Sequence, residues 1–237
     1  RCLDSVYSSD FSEKFEVIIV DNDSQDASQE IVLKHFPQVR WIQNSYNAGF
    51  GRANNLAAHM ANGRYFLFLN SDMILEKETL ASALKEFVEL EPLILGCQLL
   101  YPDGRIQNSA YYDVASIYSI LRRNLVIDYL FKPKPKKLQA VMGSFMMLRK
   151  SHFLAVGGFD PDFFMYGEEL DLCKRLYKKY NRPVVVSTSA RAVHLHGASS
   201  SNEEWRYRQA LASTGLLYLK QGGYINYILM HVATCLN

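Results

Sequence analysis

Two short polar clusters stand where apolar runs stop. Asp21-Asn22-Asp23-Ser24 follows FEVIIV, Phe15 to Val20. Asn70-Ser71-Asp72 interrupts FLFLNSDMILE, after which Met73, Ile74 and Leu75 return at once to apolar character. Small polar residues are usual in turns, because Asn, Asp and Ser hydrogen-bond their own backbone, and turn chemistry accounts for either cluster alone. Carboxylates brought together at one sheet edge, however, repel each other unless a cation sits between them. A few oxygen ligands, with phosphates completing the shell, make a magnesium-type site. The paired clusters therefore point to a divalent metal that escorts phosphate.

Two later stretches add to this. In FDPDFFMYGEELDLCKRL, Phe159 to Leu176, the acids Glu168, Glu169 and Asp171 crowd the start of a helix. The helix dipole favours acids in a first turn, but three after an aromatic-rich loop exceed what capping needs. A carboxylate in a partly apolar mouth has a raised pKa and suits general-base work. In HLHGASS, His194 and His196 alternate at the end of a short strand. Alternation sends the two imidazoles to opposite faces, so at most one points into any single site.

The elements that must position these groups follow from periodicity and punctuation. Short apolar runs predict strands at Phe15–Val20, Val39–Gln43, Arg64–Leu69, Leu95–Leu100, Val141–Leu148 and Val184–Ser187. Helices are expected at Ser24–His35, Asn54–Ala61, Glu78–Leu90, Glu168–Tyr180 and Glu203–Gln221. Strands alternating with helices predict an α/β fold with a mainly parallel sheet. In open α/β sheets ligands bind beyond the carboxyl ends of strands, which is where both polar clusters fall.

The chain has 237 residues, 49% hydrophobic and 21% charged, with a formal net charge of +2. This suits one domain with a substantial core, and the charge gives no argument for nucleic acid. Residues 1–100 form the half bearing the first two clusters, 101–220 the half bearing the acids and histidines, and 221–237 a C-terminal helix. Cys2, Cys97, Cys173 and Cys235 are scattered without zinc-ligand spacing, which fits a reducing cytoplasm. No uninterrupted apolar run reaches the length of a membrane span. Tyr112 to Lys137 joins an apolar stretch to Arg122-Arg123 and KPKPKK. It suits peripheral contact with an anionic membrane and a core-packed helix beside a solvated basic loop equally well. Tyr224–Leu236 is apolar but too short to span. Arg1-Cys2-Leu3-Asp4-Ser5-Val6 has the character of mid-helix, so a first strand before it is expected to be missing from this sequence. Oligomeric state is left open.

Taken in order, VIIVDNDSQDAS, NAGFGRANN, FLFLNSDMIL, GSFMMLRKSHFLAVGGFDPDFFMYGEELDLCKRL and HLHGASS resemble the family 2 glycosyltransferases, in particular the bacterial rhamnosyltransferase-like subgroup. The resemblance runs from about Arg1 to about Lys220. It implies a GT-A fold, a Rossmann-like sheet that binds a nucleoside-diphosphate sugar, with Mn2+ or Mg2+. Asp21 falls where family members contact the base, with Asn22 and Ser24 shaping that loop. Asn47, Gly49, Gly51 and Asn54 fall in the segment that passes under the nucleotide; Arg52 there suits either a phosphate contact or plain exposure. Asn70-Ser71-Asp72 takes the place of the family's Asp-x-Asp motif, with Asp72 the metal ligand and Asn70 a departure from Asp. His194 matches a late histidine that joins the metal or the diphosphate. Glu168-Glu169 aligns with a Glu-Asp pair whose second member is the base, so Glu169 is the expected base, with Glu168 and Asp171 as substitutes.

The implied reaction is an inverting transfer of a sugar, rhamnose by resemblance, to a glycan or lipid-linked acceptor. The implied setting is surface polysaccharide synthesis at the inner face of a bacterial plasma membrane. Two rivals remain: a sugar-nucleotide-binding or scaffold protein without turnover, and a nucleotidyltransferase. The second would want a glycine- and lysine-rich phosphate loop, which the sequence lacks.

Overall fold

A computed structural model describes residues 1–112, 138–195 and 203–235. The basic stretch beyond Tyr112 and His196 lie outside the described residues, so neither expectation placed on them is addressed.

The Arg1–Val6 segment is helical, as its composition suggests: α1 spans Cys2–Tyr7. A parallel pair follows, β1 (Ile18–Asp21) and β2 (Arg40–Gln43), connected through α2 (Ser28–His35). Then come α3 (Phe50–Met60), β3 (Tyr65–Leu69), β4 (Met73–Leu75), α4 (Thr79–Leu90) and β5 (Ile94–Leu100). A second pair, β6 (Ala110–Tyr112) and β7 (Leu138–Val141), is antiparallel. β8 (Phe145–Arg149), α5 (Lys150–Ala155), α6 (Glu168–Tyr180), β9 (Val184–His194) and α7 (Glu203–Cys235) complete the described chain.

The central sheet has five strands in the order β3-β8-β5-β9-β4. It is mixed, not mainly parallel. β8 is antiparallel to both β3 and β5, β4 is antiparallel to β9, and only β5 and β9 pair in parallel. The α/β expectation holds. The strand direction differs from the expectation because the Val141–Leu148 run divides into β7 and β8, and β8 inserts antiparallel between β3 and β5. β3, β5 and β9 nevertheless run the same way, so their carboxyl ends share one edge.

Both faces of this sheet are covered, which explains why its strands are almost continuously apolar. On β3, Phe66 and Phe68 turn to one face and Tyr65, Leu67 and Leu69 to the other. The first face packs Phe153, Phe159, Leu172 and Leu176 from α5, α6 and the loop between them. Phe159 lies edge-on to Phe68, ring centroids 5.0 Å apart, an arrangement that aromatic quadrupoles favour. The second face packs Leu80, Ala83 and Phe87 of α4 with Val6 of α1.

Among the described residues β1 pairs only with β2, and β3 only with β8. The β1–β2 unit is tied on by side chains. The Glu16 carboxylate accepts the Asn62 and Gly63 N–H groups, and Arg40 donates to the Met60 carbonyl. α2 begins at Ser28 rather than Ser24, because Ser24 N–H is held by Asp21 in the turn. α3 begins at Phe50, four residues before the expected Asn54. The Val141–Leu148 run divides at Met142-Gly143-Ser144 into β7 and β8. β9 continues past Ser187 to His194, and α7 continues past Gln221 across a break in helical geometry at Gly223, φ 73°.

Candidate active site

Met73, Ile74 and Leu75 form β4, which returns along the sheet antiparallel to β9. The polar cluster is thus the turn between β3 and β4. Asn70 N–H bonds the Ser144 carbonyl at 3.0 Å, and the Asn70 carbonyl accepts Met73 N–H at 3.3 Å. Asp72 follows, nearly buried at 9% exposure. The β4–β9 ladder places Met73 opposite His194, and Leu195 N–H bonds the Asp72 carbonyl at 3.0 Å. Backbone pairing therefore delivers two donors to one spot: His194 Nε2 lies 3.4 Å from Asp72 Oδ1. Imidazole nitrogen and carboxylate oxygen so close suit adjacent positions on one Mn2+ or Mg2+ ion, leaving other positions for phosphate oxygens. Among the described residues no group of three or more His, Cys, Asp or Glu could hold a metal, so this pair would need that help. His194 Nδ1 meets Gln107 Oε1 at 2.9 Å. Cys2 Sγ lies 3.5 Å from the Asn70 carbonyl, its thiol pushed up to about 11, chiefly by burial.

Asp21 ends β1. Its Oδ1 accepts Ser24 N–H at 2.8 Å and the Gln43 amide at 2.7 Å. Burial alone would raise this carboxyl, but bonds from Ser24, Gln43 and the Asp23 N–H outweigh it and hold the pKa below the ordinary value. Asp21 is thus a fixed anion beside a polar hollow of about 260 Å3, lined also by Asp23, Ser24, Trp41 and Gln43. Asn22 is braced on both sides, donating to the Gly49 carbonyl and accepting from Asn44.

Asn47 Oδ1 accepts Gly49 N–H at 3.0 Å and shapes the NAGFG turn. Gly49 has φ 82°, and a Cβ added there would come within 2.2 Å of the Phe164 carbonyl. Phe50 N–H bonds that same carbonyl. A Cβ on Gly51 would press on Phe159 at 3.0 Å. These glycines bring the turn against the Phe159–Gly167 loop. Asn54 donates to its own helix at the Phe50 carbonyl. Its neighbour Asn55 makes a two-way bond with the Phe159 backbone. Arg52 donates to the Pro161 carbonyl, which answers the open question about that side chain with a loop contact.

The three acids open α6 after Gly167, φ 85°. All three are buried, 4–7% exposed. Glu168 is pushed up to about 8 by desolvation and then by the neighbouring Glu169 charge. Glu169 is raised too, again by burial, against a hydrogen bond from Tyr111. Both buried acids thus favour the protonated form more than a free glutamate does. Glu168 Oε2 has no hydrogen-bond partner among the described residues. Asp171 differs: Arg175 Nε bonds its Oδ2 at 2.6 Å, and the same guanidinium bonds the Val156 carbonyl. Through Arg175, Asp171 ties α6 to the Val156 carbonyl.

The regions meet through β8. Ser144 carries Asn70 on its carbonyl, and the adjacent Gly143 lies beside Glu169 Cβ, 3.9 Å from where its own Cβ would be. The metal-ligand pair and the acidic pair thus share one end of the sheet. Sequence reasoning read Asn55 only together with Asn54, in the segment under the nucleotide, and missed Gln43, Tyr111 and Gln107. None stands in a periodic pattern, and each is recruited only by tertiary contact.

The fold is of GT-A type. The family model for "Glycosyl transferase family 2" matches residues 1–157, and the chain belongs to that family. Within it the chain is rhamnosyltransferase-like. It is 30% identical over 186 residues to Rhamnosyltransferase WbbL of Escherichia coli K12, covering 69% of this chain and 67% of that one. It is 28% identical over 213 residues to N-acetylglucosaminyl-diphospho-decaprenol L-rhamnosyltransferase of Mycobacterium tuberculosis, covering 79% and 68%. Among solved structures, the Pyrobaculum calidifontis mannosyltransferase PcManGT, in complex with GDP-Man and Mn2+, superposes with a TM-score of 0.65 at 16% identity, covering 99% of this chain and 68% of that one. Staphylococcus aureus TarS 1-349 with UDP gives 0.59 at 20% identity, covering 98% and 65%. These two support the fold alone.

Proposed function

We propose that this protein is an inverting glycosyltransferase that moves a sugar from a nucleoside-diphosphate sugar to a glycan or lipid-linked acceptor in bacterial surface polysaccharide synthesis. The observation that carries this reading is the meeting of the Asp72–His194 pair and the buried Glu168–Glu169 pair at one sheet end. Asp21, kept ionised, accepts N–H groups from the nucleotide base. Asp72 and His194 are the residues that would hold a divalent cation beside the diphosphate. When bound, that cation offsets the charge developing on the leaving group. Glu169 removes the proton from the acceptor hydroxyl, which attacks the anomeric carbon opposite the diphosphate. Burial raises Glu169 and makes it a better base than a free glutamate, and Tyr111 orients it. No covalent glycosyl-enzyme is needed, in contrast to retaining glycosidases.

Rhamnose is the proposed sugar because the relatives named above are rhamnosyltransferases. A lipid-linked acceptor would bring the protein to the inner face of the plasma membrane. No described helix is long and apolar enough to cross a membrane.

The test is transfer from a panel of UDP-, dTDP- and GDP-sugars to a lipid-diphosphate acceptor, with the product's anomeric configuration read by NMR. Inverted product from the wild type, formed about 10²–10⁴-fold more slowly by Glu169→Gln, is the expected result. Nucleotide binding without product from any donor would instead favour a non-catalytic binding protein.

A further inference from the structure

Gln107 lies between β5 and β6, far in sequence from either proposed metal ligand, yet its side chain touches one of them. It is 5% exposed and its backbone is pinned on both sides. Its N–H bonds the Leu99 carbonyl at 2.8 Å, and its own carbonyl accepts the Ser109 hydroxyl at 3.2 Å. Ser109 Oγ accepts Leu99 N–H at 2.8 Å, and the Ser109 carbonyl accepts Met142 N–H. The side chain is thus presented from a fixed backbone. Its amide oxygen meets His194 Nδ1 at 2.9 Å.

The Gln107 amide oxygen is the atom turned to Nδ1, and an amide oxygen can only accept, so in this arrangement Nδ1 carries the hydrogen. In the neutral ring Nε2 then bears the lone pair, and Nε2 is the atom that faces Asp72 Oδ1 at 3.4 Å. A lone pair aimed at a carboxylate oxygen is repulsive until a cation lies between them. In the opposite tautomer, Nε2–H would simply donate to Asp72 and close the site on itself. We propose that Gln107 is a positioning residue that fixes His194 in the Nδ1–H tautomer and so keeps the His194–Asp72 pair open to a divalent cation. Outer partners of metal-bound histidines act this way in general, through orientation and tautomer. The inference rests on the reading of His194 and Asp72 as metal ligands made above.

The experiment measures Mn2+ binding by the loss of the free-ion EPR signal, with UDP, dTDP or GDP present, for wild type, Gln107→Leu, Gln107→Glu and Asp72→Asn. Gln107→Leu is expected to weaken Mn2+ binding about 10- to 100-fold. Gln107→Glu, which can still accept from Nδ1–H, is expected to restore it. A Gln107→Leu protein that binds Mn2+ as the wild type does overturns the inference while leaving the metal site intact. Wild type that binds no Mn2+, or Asp72→Asn that binds it undiminished, overturns the underlying site. Nitrogen NMR of the metal-free wild type decides independently of how the variants fold: the Nδ1–H tautomer at His194 is expected, and the Nε2–H tautomer overturns the inference.

Discussion

Asp21 at the end of β1 and the Glu168–Glu169 pair at the start of α6 are buried carboxylates, yet their environments drive them in opposite directions. Asp21 sits in a tight turn where N–H and O–H donors converge on it, and it stays ionised despite burial. Glu168 and Glu169 open a helix in an apolar pocket, beside each other, and both are pushed upward. Residue type does not decide protonation; the supply of donors against the cost of desolvation does. In the proposed function, Asp21 would present a permanent acceptor to a nucleotide base and the Glu168–Glu169 pair would exchange a proton with an acceptor hydroxyl.

The largest effect expected from breaking this contrast is at Glu169. Glu169→Gln should lower the transfer rate by about 10²–10⁴-fold, the range for a lost general base, while melting stays close to that of the wild type. Asp72→Asn should abolish any metal-dependent rise in melting temperature and reduce Mn2+ affinity, by direct titration. At the other end, Asp21→Asn keeps the shape but weakens the acceptor, and nucleotide binding by calorimetry should fall about tenfold. Gly49→Ala sharpens the role of the turn between the regions. Its left-handed backbone and the approach of the Phe164 carbonyl should destabilise the protein by about 1–3 kcal/mol in urea unfolding.

The smallest effect is on the pH dependence of stability. Glu168 holds its proton to about pH 8 in the folded protein but releases it near 4.5 when unfolded. The folded state therefore binds more protons between those values, and the stability this group contributes is full below 4.5 and lost as pH rises to about 8. Asp21, depressed on folding, has the opposite sign: its contribution is present above its unfolded pKa and lost in acid. Melting temperature across pH 5–8 should fall less steeply in Glu168→Gln than in wild type.

What the sequence made legible was what local rules govern. The end of FEVIIV, the polar break after FLFL and the acids on α6 were placed correctly, because strand ends and helix starts write their own composition. The direction of β8 was not legible, since a single run hides the Gly143-Ser144 break that divides it. The separate roles of the three acids were not either: Asp171 looks like its neighbours in sequence and is set apart only by Arg175 one helical turn on and by the Val156 carbonyl beyond. Asn54 and Asn55 were likewise indistinguishable until α3 turned one inward to its own helix and the other to Phe159. Gln107 had no signal at all, because its function comes from a partner 87 positions away.

The central claim is that Asp21, Asp72, His194 and Glu169 belong to one nucleotide- and metal-binding site. Thermal melting with UDP, dTDP and GDP, each with and without Mn2+, tests it most directly. A rise with one nucleotide that requires Mn2+ and vanishes in Asp72→Asn is the predicted result. A nucleotide-induced rise that is the same without metal, or that survives Asp72→Asn, would contradict it.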